Sequence, residues 1–293
     1  MHRRAKAVDA KTDVPVSKIA LIQMRSCIEV ARNLRDTANF IKQAARQGAA
    51  LAVLPENFAS MARESQRRDI AEATGTGPVQ DFLSEQARTN SIWLVAGTIP
   101  LLDWIDESAD QRPAASCLVF DQRGNRVSRY DKIHLFDVAI PGNEEAYLES
   151  AHTHAGSQAI CVDTPVGRLG LAVCYDIRFP ALFMRLMDQG MEILVLPAAF
   201  TVATGEAHWE VLLRARAIES LCYVAAAAQG GRHESGRQTW GHSMLVDPWG
   251  AISGQLDREP GVLVAEIDID ELQSIRQRFP VLTHKQADNG EDE

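Results

Sequence analysis

Runs of Val, Ile and Leu recur along the chain, and between several of them the apolar positions change from continuous to every third or fourth residue. A short continuous run marks a strand buried on both faces, whereas the wider spacing marks a helix with one apolar face. The runs predict strands over 18–24, 50–56, 92–99, 116–121, 126–135, 158–164, 168–175, 192–200, 222–229, 241–248 and 261–268. Helices are predicted over 29–47, 79–88, 180–189, 207–221 and 270–278, and in the first of these Val30, Leu34, Thr37, Ile41 and Ala44 share a face. Pro180 suits a first helical turn, and Gly48 and Gly190 suit helix ends.

Some strands are separated by helices and others only by turn signals: Gln122-Arg123-Gly124-Asn125, Pro165-Val166-Gly167 and Pro248-Trp249-Gly250. Hairpins and crossovers therefore coexist. That mixture predicts an α/β fold of two mixed sheets packed face to face with helices outside, a four-layer α-β-β-α sandwich, over a single doubly wound parallel sheet. Neither a linker nor a repeat of solenoid period interrupts the pattern. One domain is expected over 18–285, after a flexible N-terminal arm (1–17) and before a flexible acidic tail (286–293).

Composition narrows the class. With 293 residues, 46% hydrophobic and 24% charged, the chain is an ordinary globular one, and its net charge of −9 with no recurring basic cluster argues against nucleic acid or an anionic membrane as partner. No apolar run approaches the roughly 20 residues that span a bilayer. The five cysteines are odd in number, dispersed and without a C-x-x-C pair, which speaks against a disulfide framework or a zinc ribbon. A reducing, cytoplasmic setting is expected, and the opening residues lack the apolar stretch of a secretory signal.

Three strand ends carry chemistry: Glu56 closes "LAVLPE", Lys132 lies near the end of "RYDKIHL", and Cys174 closes "GLAVC". Side chains at the carboxyl ends of strands converge in α/β proteins. A free thiol with a pKa of about 8.5 is a poor nucleophile at neutral pH and needs help. Glu56 would take its proton. Lys132 would lower the thiol pKa and later stabilise a tetrahedral oxyanion, with the backbone N–H of Tyr175 as a second donor. Singly, each residue has a plainer reading: Cys174 as a small core residue, Glu56 as a turn carboxylate, Lys132 as a solvated charge. The joint pattern favours the chemistry.

In "LPEN" (54–57), "YDKIHLFD" (130–137) and "VCYDIRFP" (173–180) the chain resembles the nitrilase superfamily of carbon–nitrogen hydrolases, in family order and over about Lys18 to His284. The resemblance implies the four-layer sandwich, a Glu-Lys-Cys triad of Glu56, Lys132 and Cys174, an acyl-enzyme mechanism with no metal or cofactor, and subunits that pair as a homodimer or higher homo-oligomer. It also implies a second glutamate, matched by Glu149 in "LES", with Glu144 and Glu145 close by. The stretches "AHWEVLLRARAIES", "AAAQGGRHESGRQTWGHSM" and "VDPWG" are similar to the branch that hydrolyses deaminated glutathione. Its relatives are ω-amidases acting on 2-oxoglutaramate, and other small-amide or N-carbamoyl hydrolases are a further alternative. Tyr175-Asp176 after the cysteine departs from the Trp-Glu usual in true nitrilases, which disfavours nitriles.

Both candidate substrates are rich in carboxylate, so an acidic protein must supply local cations; Arg178, Arg232 and Arg237 are the candidates. Arg232, His233 and Arg237 lie in a Gly-rich loop that suits a pocket rim or, equally, a solvated turn. His134 and His242 offer a rival Cys-His pairing with Cys174. The Gly75-Thr76-Gly77 loop lacks the third glycine of a dinucleotide site, and His152-x-His154 has no partner ligand assignable from sequence. A rival of another class is a catalytically idle scaffold of the same fold.

Overall fold

In the strand Ser17–Gln23, Ile19 and Leu21 enter one apolar layer and Ala20 and Ile22 another, and all four are fully buried. Successive strand side chains point to opposite faces, so this strand is covered on both sides. The computed structural model describes residues 16–103, 112–139 and 146–284. The expected acidic tail, nearly all of the expected arm, and Glu144 and Glu145 lie outside them.

The first sheet runs in the order Gly261–Ile267, Ser17–Gln23, Leu51–Val53, Trp93–Leu102, Ala114–Phe120, Arg126–Asp131, with the short strand Glu72–Ala73 paired to Trp93–Leu102. Its parallel pairs are linked by α1 (Val30–Arg46) and α2 (Pro78–Asn90). The buried Ile41 and Ala44 of α1 and Val79, Leu83 and Ala87 of α2 cover its outer face, packing with Ala20, Ile22, Ala52, Leu54, Leu94 and Ala96. Each buried Leu or Ile side chain contributes about 1.5–3 kcal/mol.

The second sheet runs Ile252–Gln255, Met244–Val246, Tyr223–Ala228, Ile193–Ala198, Gly167–Leu171, Cys161–Thr164. Its parallel pairs are linked by α3 (Pro180–Asp188) and α4 (Val202–Ser220). One continuous apolar cluster joins Ile19, Leu21, Leu51 and Val53 of the first sheet to the second sheet and to Leu182, Leu186, Trp209 and Leu213 of its helices. The order of layers is helix, sheet, sheet, helix. A last helix, α5 (Ile269–Arg278), follows the final strand and is capped by Asp268, whose side chain accepts the Glu271 N–H.

Each expected strand and helix is present, with shifted ends. The expected start of α4 at Ala207 is too late, because Gly205 within "TVATGEA" weakens the helical pattern. Thr201 caps the helix by accepting the Thr204 N–H, and Gly205 is required because a Cβ there would lie 2.3 Å from the Trp240 side chain. The stretch read as a Gly-rich loop is a hairpin, Gly230–Arg232 against Gln238–Trp240.

Candidate active site

The strands that end on chemistry stop earlier than the apolar runs do. The strands end at Val53, Asp131 and Leu171, so Glu56 and Cys174 lie three residues beyond a strand end and Lys132 directly follows one. The segment carrying Glu56 lies tight on its neighbour: a Cβ at Gly97 would sit 1.8 Å from the Pro55 carbonyl oxygen. Only glycine allows that approach. Beyond Glu56, Asn57 turns at φ 57° and donates its N–H to Thr98 Oγ1 at 3.0 Å. Lys132 is held by its backbone, its N–H donating to Ala115 and its carbonyl accepting from Gly156.

The Lys132 ammonium donates to Glu56 Oε1 at 2.9 Å and to Glu149 Oε2 at 2.7 Å, and the three residues are 1–3% exposed. Glu149 also accepts from the Phe136 N–H at 2.8 Å and from Arg67 Nη1 at 2.9 Å; Arg67 donates as well to Thr153 Oγ1. Burial works against the charges of Lys132, Glu149 and Arg67, and their partners override it. Burial lowers the Lys132 pKa, but the Glu149 and Glu56 carboxylates raise it further, so the net shift is upward. Burial likewise raises Glu149, but Lys132 and Arg67 hold it well below the usual carboxylate range. Two carboxylates and two cations thus form one paired cluster.

Cys174 opens a one-turn 3-10 segment, Cys174–Arg178, with φ 49°, a left-handed conformation uncommon outside glycine. The turn lifts the side chain out of line with the strand, into a cavity of about 360 Å³ that Glu56, Lys132, Glu149 and Arg67 also line. Lys132 pulls the thiol pKa down, as expected, but burial first and the Glu56 carboxylate second push it up, and the net shift is well upward. The expected pull of Lys132 on the thiol is present, and burial together with Glu56 outweighs it. At rest the sulfur is a protonated thiol beside a carboxylate. The Tyr175 N–H lies in the first turn of the 3-10 segment, where amides lack partners within the helix.

Of the three candidate substrate cations, Arg178 and Arg237 line the cavity, with Glu64, Phe136, Phe200, Thr201 and Thr204. Arg232 does not: it ends the strand Gly230–Arg232 with its side chain exposed, whereas Arg237 leads into the returning strand and reaches Ala199 O at 2.9 Å. The rival histidines are occupied elsewhere. His134 Nδ1 lies 2.7 Å from Asp176, His242 Nδ1 lies 2.8 Å from the Trp240 carbonyl, and neither lines the cavity. Arg67 was not singled out from sequence, since nothing in "RESQRRD" distinguishes it from Arg63 or Arg68.

A buried acid, ammonium and thiol in one cleft can transfer a proton, attack a carbonyl and stabilise an oxyanion. The sequence model of the family "carbon-nitrogen hydrolase" matches residues 18–277. The chain belongs to the carbon-nitrogen hydrolase family. This hydrolase is 45% identical to the deaminated glutathione amidase of Yersinia enterocolitica over 268 residues, 92% of each chain. Its fold superposes on Saccharomyces cerevisiae Nit3, described as a member of branch 10 of the nitrilase superfamily. That match has a TM-score of 0.81 and 30% identity over 91% of this chain and 95% of the other. It also superposes on a variant of the amidase from Nesterenkonia sp. AN1 carrying acrylamide added at its active-site cysteine. There the TM-score is 0.74 and the identity 27%, over 90% of this chain and 98% of that one.

Proposed function

We propose that this carbon-nitrogen hydrolase is an amidase that cleaves a linear amide through a thioester on Cys174, with deaminated glutathione as its substrate. The observation that carries the mechanism is the cluster itself: Lys132 bonded to both Glu56 and Glu149, in the cavity that the Cys174 thiol faces. Because the thiol is protonated at rest, attack and deprotonation go together: Glu56 takes the proton as Sγ bonds to the amide carbon. The carbonyl oxygen becomes an oxyanion stabilised by Lys132 and the Tyr175 N–H, each such donor being worth roughly 3 kcal/mol of barrier. The C–N bond then breaks and the leaving nitrogen takes the proton from Glu56. Water, giving a proton to Glu56, attacks the thioester. The C–S bond breaks, the thiol is restored and the acid is released. The scheme calls on no metal or cofactor.

Glu149 neutralises and orients Lys132, and Arg67 in turn balances Glu149. The substrate assignment draws on the name of the Yersinia relative and on the cations of the cavity mouth. Deaminated glutathione carries carboxylates at both ends, and Arg178 and Arg237 offer charge for them. The same reading makes the protein a cytoplasmic homodimer. Val211 and Ile218 of α4 are exposed, Ile218 lies against the turn at Gly250, and the adjoining Trp249 meets Phe279 edge to face; these exposed apolar groups suit a second copy.

Brief exposure to deaminated glutathione followed by mass spectrometry tests the mechanism: an acyl adduct on Cys174 is expected, and its absence would leave an idle scaffold. Faster turnover of 2-oxoglutaramate than of deaminated glutathione would overturn the substrate and keep the chemistry.

A further inference from the structure

Asp176 is fully buried and takes no part in the mechanism above, yet four donor groups converge on its carboxylate. Oδ2 accepts the Tyr130 hydroxyl at 2.7 Å and the Val173 N–H at 2.9 Å. Oδ1 accepts the His134 N–H at 3.0 Å and faces His134 Nδ1 at 2.7 Å. A carboxylate only accepts, so the imidazole proton sits on Nδ1. Burial, with the charge of Asp176 added, pushes the Tyr130 hydroxyl well up, which keeps it a donor.

The donors come from two places in the chain. Tyr130 and His134 flank Lys132 at two residues on either side, where the first sheet ends, and Val173 immediately precedes Cys174, where the second sheet ends. One carboxylate therefore ties together the segments that carry the ammonium and the sulfur. The tie is braced from outside: the His134 ring lies flat on Phe179, centroids 3.7 Å apart at 4°, and the Phe179 N–H donates to the Asp176 carbonyl. It also closes the turn that holds Cys174 in its left-handed conformation.

We propose that Asp176 is a positioning residue whose buried carboxylate clips the Lys132 segment to the Cys174 turn and so sets the spacing of ammonium and thiol. This rests on the catalytic roles given above to Lys132 and Cys174. A group serving only to fill space would not need to be a charge, because an isolated buried carboxylate is costly and is retained only when several donors converge on it. An amide would not serve. Asn has one acceptor oxygen, and its NH₂ would confront two of the four donors.

The test uses Asp176→Asn, Tyr130→Phe, His134→Phe and His134→Asn, with Cys174→Ala as control. His134→Phe keeps the flat stack but removes the donor; His134→Asn restores an N–H near the position of Nδ1. Misplacement of reacting groups by an ångström costs up to about 100-fold. The expected losses in kcat are therefore roughly 10- to 100-fold for Asp176→Asn and about tenfold for His134→Phe, with KM within about threefold. Tyr130→Phe should fall between wild type and Asp176→Asn, and His134→Asn should recover most of the loss. Iodoacetamide labelling of Cys174 should slow in the same order.

Wild-type kcat in folded Asp176→Asn overturns the clip. So do equal rates for the two His134 variants, or lower melting temperatures with unchanged kcat and labelling. Should Asp176→Asn fail to fold, the His134 pair decides. Activity surviving in Cys174→Ala would instead overturn the catalytic reading itself, whatever the clip variants do.

Discussion

The floor of the cavity and its mouth are built from the same kinds of side chain and held in opposite ways. On the floor, Glu56, Lys132, Glu149 and Arg67 join through contacts of 2.7–2.9 Å. At the mouth, Arg178 has one hydrogen-bond contact among the described residues, with His208 Nδ1 at 3.2 Å, and lies over the Tyr175 and Phe200 rings at 5.8 and 5.5 Å. Among the described residues Arg237 donates once, to Ala199 O, lies over the Tyr147 ring, and keeps a buried Nε without a partner. A sealed charge must be paired before any ligand arrives, because losing a partner leaves it stranded at low dielectric. A charge at the edge can wait for the ligand to supply its partner. The floor is set for chemistry and the mouth is left open for recognition.

The sharpest way to break this contrast is to remove the shared cation. Lys132→Met leaves Glu56 and Glu149 facing each other in a sealed site. Under the proposed mechanism activity should fall by at least about 10⁴-fold, and stability should fall by about 3–5 kcal/mol, the usual cost of breaking a buried pair. Cys174→Ala should lose activity to the same extent but stability by only about 1–2 kcal/mol, since no charge is stranded. Kinetics and denaturant unfolding on both variants check the pair. A Lys132→Met protein as stable as Cys174→Ala would mean that the floor is not electrostatically preloaded.

What the sequence made legible follows the same division. The layers could be read because burial on both faces writes itself locally, as in Ile19 to Ile22. The ends of the site strands could not. "GLAVCY" is apolar throughout, and the turn at Cys174 depends on Asp176 reaching back to Val173 and across to Tyr130 and His134. Arg67 reaches Glu149 across 82 positions, a contact with no local signature. Arg232 and Arg237 look alike in the string, and only the hairpin between them turns one outward and the other to the cavity.

A smaller effect concerns how the mouth is anchored. His233, in the hairpin that bears Arg237, is 3% exposed; its Nδ1 lies 2.8 Å from the Ser26 carbonyl and its Nε2 2.7 Å from Thr239 Oγ1. The neutral ring fits both, donating from Nδ1 and accepting the threonine hydroxyl at Nε2. Burial, opposed by the Ser26 bond and aided by Arg237 and Arg25, lowers its pKa from 6.5 to about 4. The unfolded chain then binds this proton at a pH where the folded one does not. Stability is full above about pH 6.5 and falls as pH drops towards 4, by about 3 kcal/mol in all. The stability difference between wild type and His233→Gln, measured by denaturation from pH 7.5 to 4, should shrink by that amount. A flat difference would show that the anchor is not a sealed neutral histidine.

The smallest expected effect decides on which side of the contrast Arg237 belongs. Its Nη2 donates to the carbonyl of Ala199, and the backbone of Ala199 also acts on the Cys174 thiol, so the mouth touches the floor at this residue. If Arg237 serves recognition, Arg237→Gln loses a carboxylate partner worth about 1.5–3 kcal/mol, and KM for deaminated glutathione should rise by about tenfold or more. The chemistry would be untouched, so kcat should stay within about threefold. Turnover of a small amide without a carboxylate should not change at all. A fall in kcat that matches the rise in KM, on charged and uncharged amides alike, would instead make Arg237 part of the floor, acting through Ala199 on the position of the sulfur.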